Sequence, residues 1–240
     1  MIMPPPRYLL REYALRRLLG DMKPGRFLEV GYGAGQMLAS LAAWGFSGVG
    51  YDSSPQARAA AAALLAARGV TSVELRDHLP AGELFDYVFL FEVLGYFEDP
   101  AGELRRLRSL LRPGGVIIFS FVRDRAGYDP RVVGQMKTFS AAGIDALLSA
   151  AGLRARVKWN YGFPLANLMR PAMNAVHLAR RRGKESAEET RLTGLGHTAP
   201  ALRLLGLAVN RLTIRPWGAL QMLFRDTDLG NGYLVAAEPS

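Results

Sequence analysis

Cysteine is absent from this 240-residue chain. That single gap removes disulfides, thiolate-liganded zinc and a thiolate nucleophile together. Histidine is scarce, present only as His78, His177 and His197, so imidazole chemistry has few carriers. No apolar run approaches the roughly 18–20 residues that span a bilayer. The opening Met1-Ile2-Met3-Pro4-Pro5-Pro6 lacks the apolar core of a secretion signal. These absences lead us to expect a cytoplasmic protein. What is plentiful is apolar side chain: half of the residues are hydrophobic, enough for one domain with a sizeable core, or one domain plus a cap.

Acidic charge is lacking in the second part of the chain. Residues 1–153 carry 17 Lys and Arg against 15 Asp and Glu, whereas residues 154–240 carry 13 against 6. A basic excess confined to one end suits contact with an acidic surface, whether nucleic acid, phospholipid or an anionic substrate. Arginine placed on helices for solubility accounts for it equally well.

The densest local signal is Phe27-Leu28-Glu29-Val30-Gly31-Tyr32-Gly33-Ala34-Gly35. It reads as a short buried strand entering a glycine-rich turn, with a helix opening at Gln36. Glycine lets ligand and backbone approach and permits positive φ, and the helix start offers unpaired N–H groups. The dinucleotide fingerprint, G-x-G-x-x-G, would put its third glycine at position 36. That position is Gln36, and Glu29 precedes the first glycine by two residues. A carboxylate there repels a pyrophosphate and attracts an ammonium group. A second apolar stretch, Gly48-Val49-Gly50-Tyr51, ends at Asp52, 17 residues after Gly35. Asp52 is placed either to accept the hydroxyls of a ribose or to cap the helix that Ser53-Ser54-Pro55 begins.

This acid-led G-x-G-x-G turn resembles the first motif of the class I S-adenosylmethionine-dependent methyltransferases, of the quinone-biosynthesis-like small-molecule type. Phe85-Asp86-Tyr87-Val88, running to Phe91-Glu92-Val93-Leu94, resembles that family's fourth strand and its E-V-L turn. Leu110-Leu111-Arg112-Pro113-Gly114-Gly115 resembles its L-L-x-P-G-G segment, in which Pro113 is expected to stop a helix before the fifth strand. The motifs cover about residues 25–125 in the family's order. The resemblance implies an α/β fold: a Rossmann-like seven-stranded sheet with helices on both faces, and a helical cap inserted between strands six and seven. It implies S-adenosylmethionine as cofactor and S-adenosylhomocysteine as product. The cofactor would be held by Glu29, Gly31, Tyr32, Gly33, Gly35, Asp52 and Ser53, by Asp77 or His78 at the adenine, and by Phe91 and Glu92. Tyr8 or Tyr13, on a leading helix, would shield the methionine end. One departure matters: where relatives read E-V-L-E-H, this chain reads Glu92-Val93-Leu94-Gly95-Tyr96, so no role of that acid–histidine pair carries over.

The alternation of periods places strands near 26–31, 47–52, 72–75, 85–91, 115–122, 157–161 and 232–237. Helices are expected at 5–20, 34–44, 55–68, 100–112 and 139–151. The whole of 1–240 reads as one domain, with a core of 21–162 and 227–240, an N-terminal helix 5–20 and a cap insertion 163–226. About 70 residues separating strands six and seven is far beyond a loop. Apolar helices are expected there from Pro164 to Arg182, from Ala201 to Leu212, and around Trp217 to Phe224. Methionines and aromatics in the insertion suit an apolar acceptor. A basic amphipathic helix also suits peripheral contact with anionic membrane, although Pro171 would kink the first helix.

His197 and Tyr128 are the candidate catalytic bases, with Tyr161 and Asn160 on the same side of such a sheet. No metal is expected. The expected reaction is methyl transfer to an oxygen or carbon atom of an apolar small molecule (quinone-like, polyketide, terpenoid or lipid). The alternatives are a nucleic-acid methyltransferase using the basic end, or a non-catalytic S-adenosylmethionine-binding protein. Nucleic acid is the weaker alternative, because Phe91-Glu92-Val93-Leu94 lacks the aromatic turn that stacks a flipped base.

Overall fold

A computed structural model describes residues 6–123, 137–169 and 210–240. Its contacts divide the chain into two compact units: Met22–Lys158 with Val235–Ser240, and Met1–Asp21 with Trp159–Leu234.

The larger unit alternates strand and helix. It runs β1 (Arg26–Val30), α2 (Gln36–Ala43), β2 (Ser47–Tyr51), α3 (Pro55–Ala67), β3 (Val73–Arg76) and β4 (Phe85–Phe91). Then follow α4 (Pro100–Arg108), β5 (Leu111–Val122), α5 (Ala141–Ala150) and the start of β6 (Leu153–Tyr161), with β7 (Gly232–Pro239) closing the chain. The seven strands hydrogen-bond in the order β3-β2-β1-β4-β5-β7-β6. Strands β1 to β5 pair in parallel, with Leu28 opposite both Val49 and Val88. The apolar stretches Phe27-Leu28, Val88-Phe89-Leu90 and Ile117-Ile118-Phe119 are fully buried, as strands covered on both faces require. The expected Rossmann-like α/β sheet is thus present.

Local chemistry sets the element ends. Ser54 caps α3, its hydroxyl accepting from the Ala57 N–H at 3.2 Å, and Pro55 takes the first helical position. Ser140 caps α5 in the same way, accepting from Gly143 N–H at 3.0 Å. The expectation that Pro113 stops α4 is corrected. The helix ends at Arg108, and Leu111 already pairs with Phe85. The residues that follow bulge out before Tyr87 pairs with Val116. Gly115 is needed in that bulge because a Cβ there would meet the Arg112 and Phe85 carbonyl oxygens at 2.9 and 3.1 Å. The motif aspartate, Asp86, belongs to the opposite end of the sheet from the glycine turn. It accepts the Arg26 N–H at 2.7 Å and pairs with Arg112 at 2.9 Å, so its role is architectural.

In the smaller unit α1 (Pro6–Leu18) runs into a 3₁₀ turn, Leu19–Asp21, and α6 (Arg215–Met222) packs on α1. Gln221, 1% exposed, joins three segments: its amide donates to the Leu10 carbonyl and accepts from the Gly162 N–H, both at 2.8 Å. Arg211 forms a two-pronged pair with Glu12 at 2.8 and 3.0 Å. Of the three helices expected in the insertion, the third is α6. The first is described only over residues 165–169, and the second lies outside the described residues except for its last three positions.

Candidate cofactor and acceptor site

The order of the larger unit's sheet reverses between β1 and β4, and the crevice beyond their carboxyl ends is where open α/β sheets hold ligands. The glycine turn lies there. Gly31, Gly33 and Gly35 have φ of 73°, 54° and 74°, conformations that glycine adopts without steric cost. Two of them are also fixed by packing. A Cβ on Gly31 would lie 2.5 Å from Val93 Cγ2, and one on Gly35 would lie 2.7 Å from Ala61 Cβ. At Gly33 nothing lies within 4 Å of such a Cβ. Among the described residues nothing fills the space over Gly33, which leaves room there for a ligand lying along the turn.

Asp52 locks the turn to the end of β2. Its Oδ2 accepts the Gly33 N–H at 2.9 Å and its Oδ1 accepts the Ser54 N–H at 3.0 Å. Ser54 caps α3, and the bonds Asp52 makes are those of a residue fixing the turn at the strand end. Each carboxylate oxygen retains acceptor capacity beyond its backbone bond. Ser53, beside it, is exposed.

Acids recur at the carboxyl ends of the first four strands, Glu29 two to three residues short of the level of the others. Glu29 is buried near the end of β1 in register with Gly50 and Phe89. Asp52, Asp77 and Glu92 follow directly on β2, β3 and β4. Asp77 is exposed and accepts from or shares a proton with His78 Nδ1 at 2.8 Å, and Arg58 lies 3.9 Å from its other oxygen. The His78 contact is the main cause holding the Asp77 carboxyl below its usual range, with Arg58 assisting. The loop that bears this pair is held by Glu83, which bridges Arg26 and Arg76.

Tyr32 turns its side chain inward. Its ring lies under β2, where a Cβ on Gly50 would come 2.8 Å from Tyr32 Cδ1. Its hydroxyl is buried without a hydrogen-bond partner among the described residues. Burial, and then the Asp52 charge, push its ionisation up to about 12. Any contact of Tyr32 with a ligand along the turn is therefore through its backbone. Phe91, buried, ends β4 and leads to Glu92, whose φ of 63° is the one positive value at a non-glycine among the described residues.

Tyr13 lies on α1 in the smaller unit, its hydroxyl accepting from Arg17 at 3.2 Å and its ring pressed on Gly218. Asn160 and Tyr161 lie inside β6. The Asn160 amide accepts from the Gly230 N–H and donates to the Gly232 carbonyl, a backbone-holding role. His197 and Tyr128 lie outside the described residues. Among the described residues no cluster of His, Asp and Glu could hold a metal ion, and no helix is long and apolar enough to cross a membrane.

Three groups were not legible as site residues in the sequence: the Glu83 clamp, Arg58, and the pair Lys137 and Phe139 beside Glu92. Arg58 carried one weak signal, its place in the first turn of a helix that follows an acid-ended strand. The others are joined to the site only by tertiary folding.

Residues 6–163 match the methyltransferase-domain family, and the chain belongs to that family, with the class I S-adenosylmethionine-dependent fold. It is similar to the ubiquinone biosynthesis O-methyltransferase of Cereibacter sphaeroides (strain ATCC 17025 / ATH 2.4.3). The two are 32% identical over 115 residues, covering 45% of this chain and 46% of that protein. The chain thus spans about half the length of the curated relatives it matches. Among solved structures, the (4+2)-cyclase SpnF superposes with a TM-score of 0.63 at 22% identity, over 95% of this chain and 80% of that one. DhpI, solved in complex with SAH, gives a TM-score of 0.50 at 24% identity, over 61% and 76%. Both likenesses concern the fold.

Proposed function

We propose that this protein transfers a methyl group from S-adenosylmethionine to an oxygen or carbon atom of an apolar small molecule of quinone-like type. One observation carries the reading: a carboxylate stands at the carboxyl end of each of the first four strands, around a glycine turn with free space over Gly33. A pyrophosphate is repelled by such a row, whereas a donor bearing an ammonium and a sulfonium is attracted. When bound, S-adenosylmethionine supplies a methyl carbon already activated for displacement, so the protein's task is to position, to desolvate and to remove a proton.

In this reading Gly31, Gly33 and Gly35 keep the turn low beneath the amino-acid end of the donor, and the Glu29 carboxylate attracts its ammonium group. Asp52 accepts the ribose hydroxyls while its bonds to Gly33 and Ser54 hold it in place. Asp77 and His78 reach the adenine edge, Ser53 sits at the rim, and Phe91 and Glu92 border the methyl end. Tyr32 shapes the turn from below. The name of the Cereibacter relative supports an oxygen acceptor on a quinone-like ring.

The test is calorimetry with S-adenosylhomocysteine, followed by a labelled-methyl assay against hydroxylated quinone-like rings. Micromolar binding and label in the organic phase are expected. Failure to bind the cofactor, together with uptake of a nicotinamide nucleotide, would overturn the proposal.

A further inference from the structure

The large apolar side chains exposed among the described residues are unevenly spread. Five of the six, Leu168, Leu212, Trp217, Leu223 and Leu229, belong to the smaller unit, and the sixth is Leu84. Single exposed leucines are ordinary, whereas a cluster marks a contact surface. Three of the five fall on α6 and the turns that flank it. Those turns continue helical-type hydrogen bonding: the Ile214 N–H donates to the Asn210 carbonyl at 2.9 Å, and the Leu223 N–H to the Leu220 carbonyl at 3.1 Å. Helical periodicity therefore sorts the side chains from Leu212 to Leu223 into faces.

The inner face is fastened to α1. Ile214, Gly218 and Gln221 are buried, with Gly218 pressed on the Tyr13 ring and Gln221 bound to the Leu10 carbonyl. Leu212, Pro216, Ala219 and Leu223 recur on the opposite side at steps of four, three and four residues, all exposed. Leu212 and Leu223 are 70% and 78% exposed. Trp217 stands at the margin between the faces. From Pro216 to Phe224 no side chain is charged, and Arg215 and Arg225 bracket that stretch. Asp226, which follows, is paired with Arg225 at 3.4 Å. A further cation, the exposed Arg17, donates to the hydroxyl of Tyr13, whose ring lies on Gly218, so it borders the same helix. At the other end Phe163 meets Phe224 edge to face at 4.8 Å, and the Asn167 amide donates to the Leu229 carbonyl at 2.8 Å. These contacts bring the segments bearing Leu168 and Leu229 together beside the end of α6.

We infer that this face of the smaller unit docks on an anionic phospholipid surface. Leu212, Pro216, Ala219 and Leu223 enter the acyl boundary, and Arg17 and Arg215 lie at the level of the phosphates. Charge complementarity selects that occupant. Residues 154–240 carry 13 Lys and Arg against 6 Asp and Glu, and arginines stand at the rim of an uncharged helix face, the distribution that interfacial binding uses. Arginine can lay its stem along apolar surface while its head reaches a phosphate. Trp217 at the margin suits the headgroup level, where an indole has one apolar side and one wet side. A second copy of the chain seated on this face would add a second set of the same arginines to the rim, with no acid of its own to meet them except the paired Asp226. Docking of this kind is independent of the methyl-transfer reading.

The test is co-sedimentation of the full chain with vesicles of mixed phosphatidylglycerol and phosphatidylcholine, beside vesicles of phosphatidylcholine alone. Binding to the anionic vesicles is expected, weaker on the neutral ones and reduced by added salt. Leu212→Glu and Leu223→Glu alter side chains already in water, so both should melt as the wild type does. Each should lower the partition coefficient by roughly tenfold. Arg215→Glu should lower it on the anionic vesicles alone. Leu84→Glu, at the exposed leucine of the other unit, should bind as wild type. Tryptophan emission should shift to the blue on binding, and Trp217→Phe should remove most of that shift. Wild type that stays in the supernatant, or equal partitioning by wild type, Leu212→Glu and Leu223→Glu, overturns the inference. So does a wild-type dimer that Leu223→Glu converts to a monomer with no vesicle binding by either, which would assign the face to a second copy. Calorimetry with S-adenosylhomocysteine should give the same affinity for all of these proteins, so lipid docking and methyl transfer fail separately.

Discussion

Gly31 and Val93 touch across the point where the strand order reverses: a Cβ on Gly31 would sit 2.5 Å from Val93 Cγ2. The turn after β1 and the turn after β4 are therefore packed as one piece. Gly31→Ala must strain a backbone at φ 73° and displace Val93. The two penalties together should cost about 2–4 kcal/mol, read as a lowered denaturation midpoint. A variant as stable as wild type would show that the two turns move independently.

Gly33→Ala separates packing from binding. Its added Cβ meets nothing within 4 Å, so only the φ of 54° opposes it, at about 1–2 kcal/mol. The methyl group would instead occupy the space assigned to the donor. Affinity for S-adenosylhomocysteine should fall by roughly tenfold or more, a loss of about 1.4 kcal/mol or greater, while the protein stays folded. Unchanged affinity would remove the donor from the turn.

The contrast between these two glycines marks how far the sequence could be read. The acid-led spacing located the turn, the strand alternation gave the parallel sheet, and Asp52 was found by its offset from Gly35. What spacing could not distinguish was purpose. Gly31 and Gly35 answer to Val93 and Ala61, and only Gly33 is open to a ligand. Asp86 sits in a motif yet holds the Arg26 N–H at the far end of the sheet. Pro113 looked like a helix stop, but α4 had already ended, because a bulge with its own steric demand at Gly115 follows Leu111. Lys137 and Phe139 carry no local signal at all, since the Gly95 carbonyl and Arg123 that position them are distant in sequence.

Tyr32 offers a test on the alkaline side. Its hydroxyl is buried with no partner among the described residues, and such a group costs stability where it stands. Tyr32→Phe should therefore be neutral or stabilising by about 1 kcal/mol. The folded-state ionisation, pushed to about 12, lies above the usual tyrosine value of about 10. Its contribution to stability is complete below that usual value and is lost as pH rises through the folded one. The wild type should weaken between pH 10 and 12 more steeply than Tyr32→Phe, by thermal melts across that range. Parallel curves would mean the ring is solvated.

Glu83 governs the acid side. Hydrogen bonds from Arg76 and then Arg26 hold its carboxyl below the usual range, which is about 4.3 for glutamate. A depressed carboxyl gives stability that is present above the unfolded value and is lost as pH falls through the folded one. Below about pH 4.3 the clamp should open and free the loop carrying Asp77 and His78. Glu83→Gln should bring that opening to neutral pH, seen as faster amide exchange over residues 77–84 with the glycine turn unaffected. Equal exchange in both proteins would assign the loop's order to something other than the clamp.

Gln221 makes the sharpest demand in the smaller unit, because its one amide satisfies two backbone groups, the Leu10 carbonyl and the Gly162 N–H. Gln221→Ala leaves the buried Gly162 N–H unpaired, at about 1–3 kcal/mol, and removes from the Leu10 carbonyl, which lies within α1, the bond that ties that helix to α6. The loss need not unfold the whole chain, since the contacts divide it into two units and a single global transition is not assured. It should appear locally, as accelerated amide exchange along α1 and at Gly162, with the amides of β1 and β4 protected as in the wild type. Gln221→Glu distinguishes the two bonds: its carboxylate still accepts from Gly162 at neutral pH but cannot donate to Leu10 until protonated. Protection of α1 should then recover as the pH is lowered toward the carboxyl range. If α1 stays protected in Gln221→Ala, the Glu12–Arg211 pair alone suffices to hold that helix, and the amide is incidental.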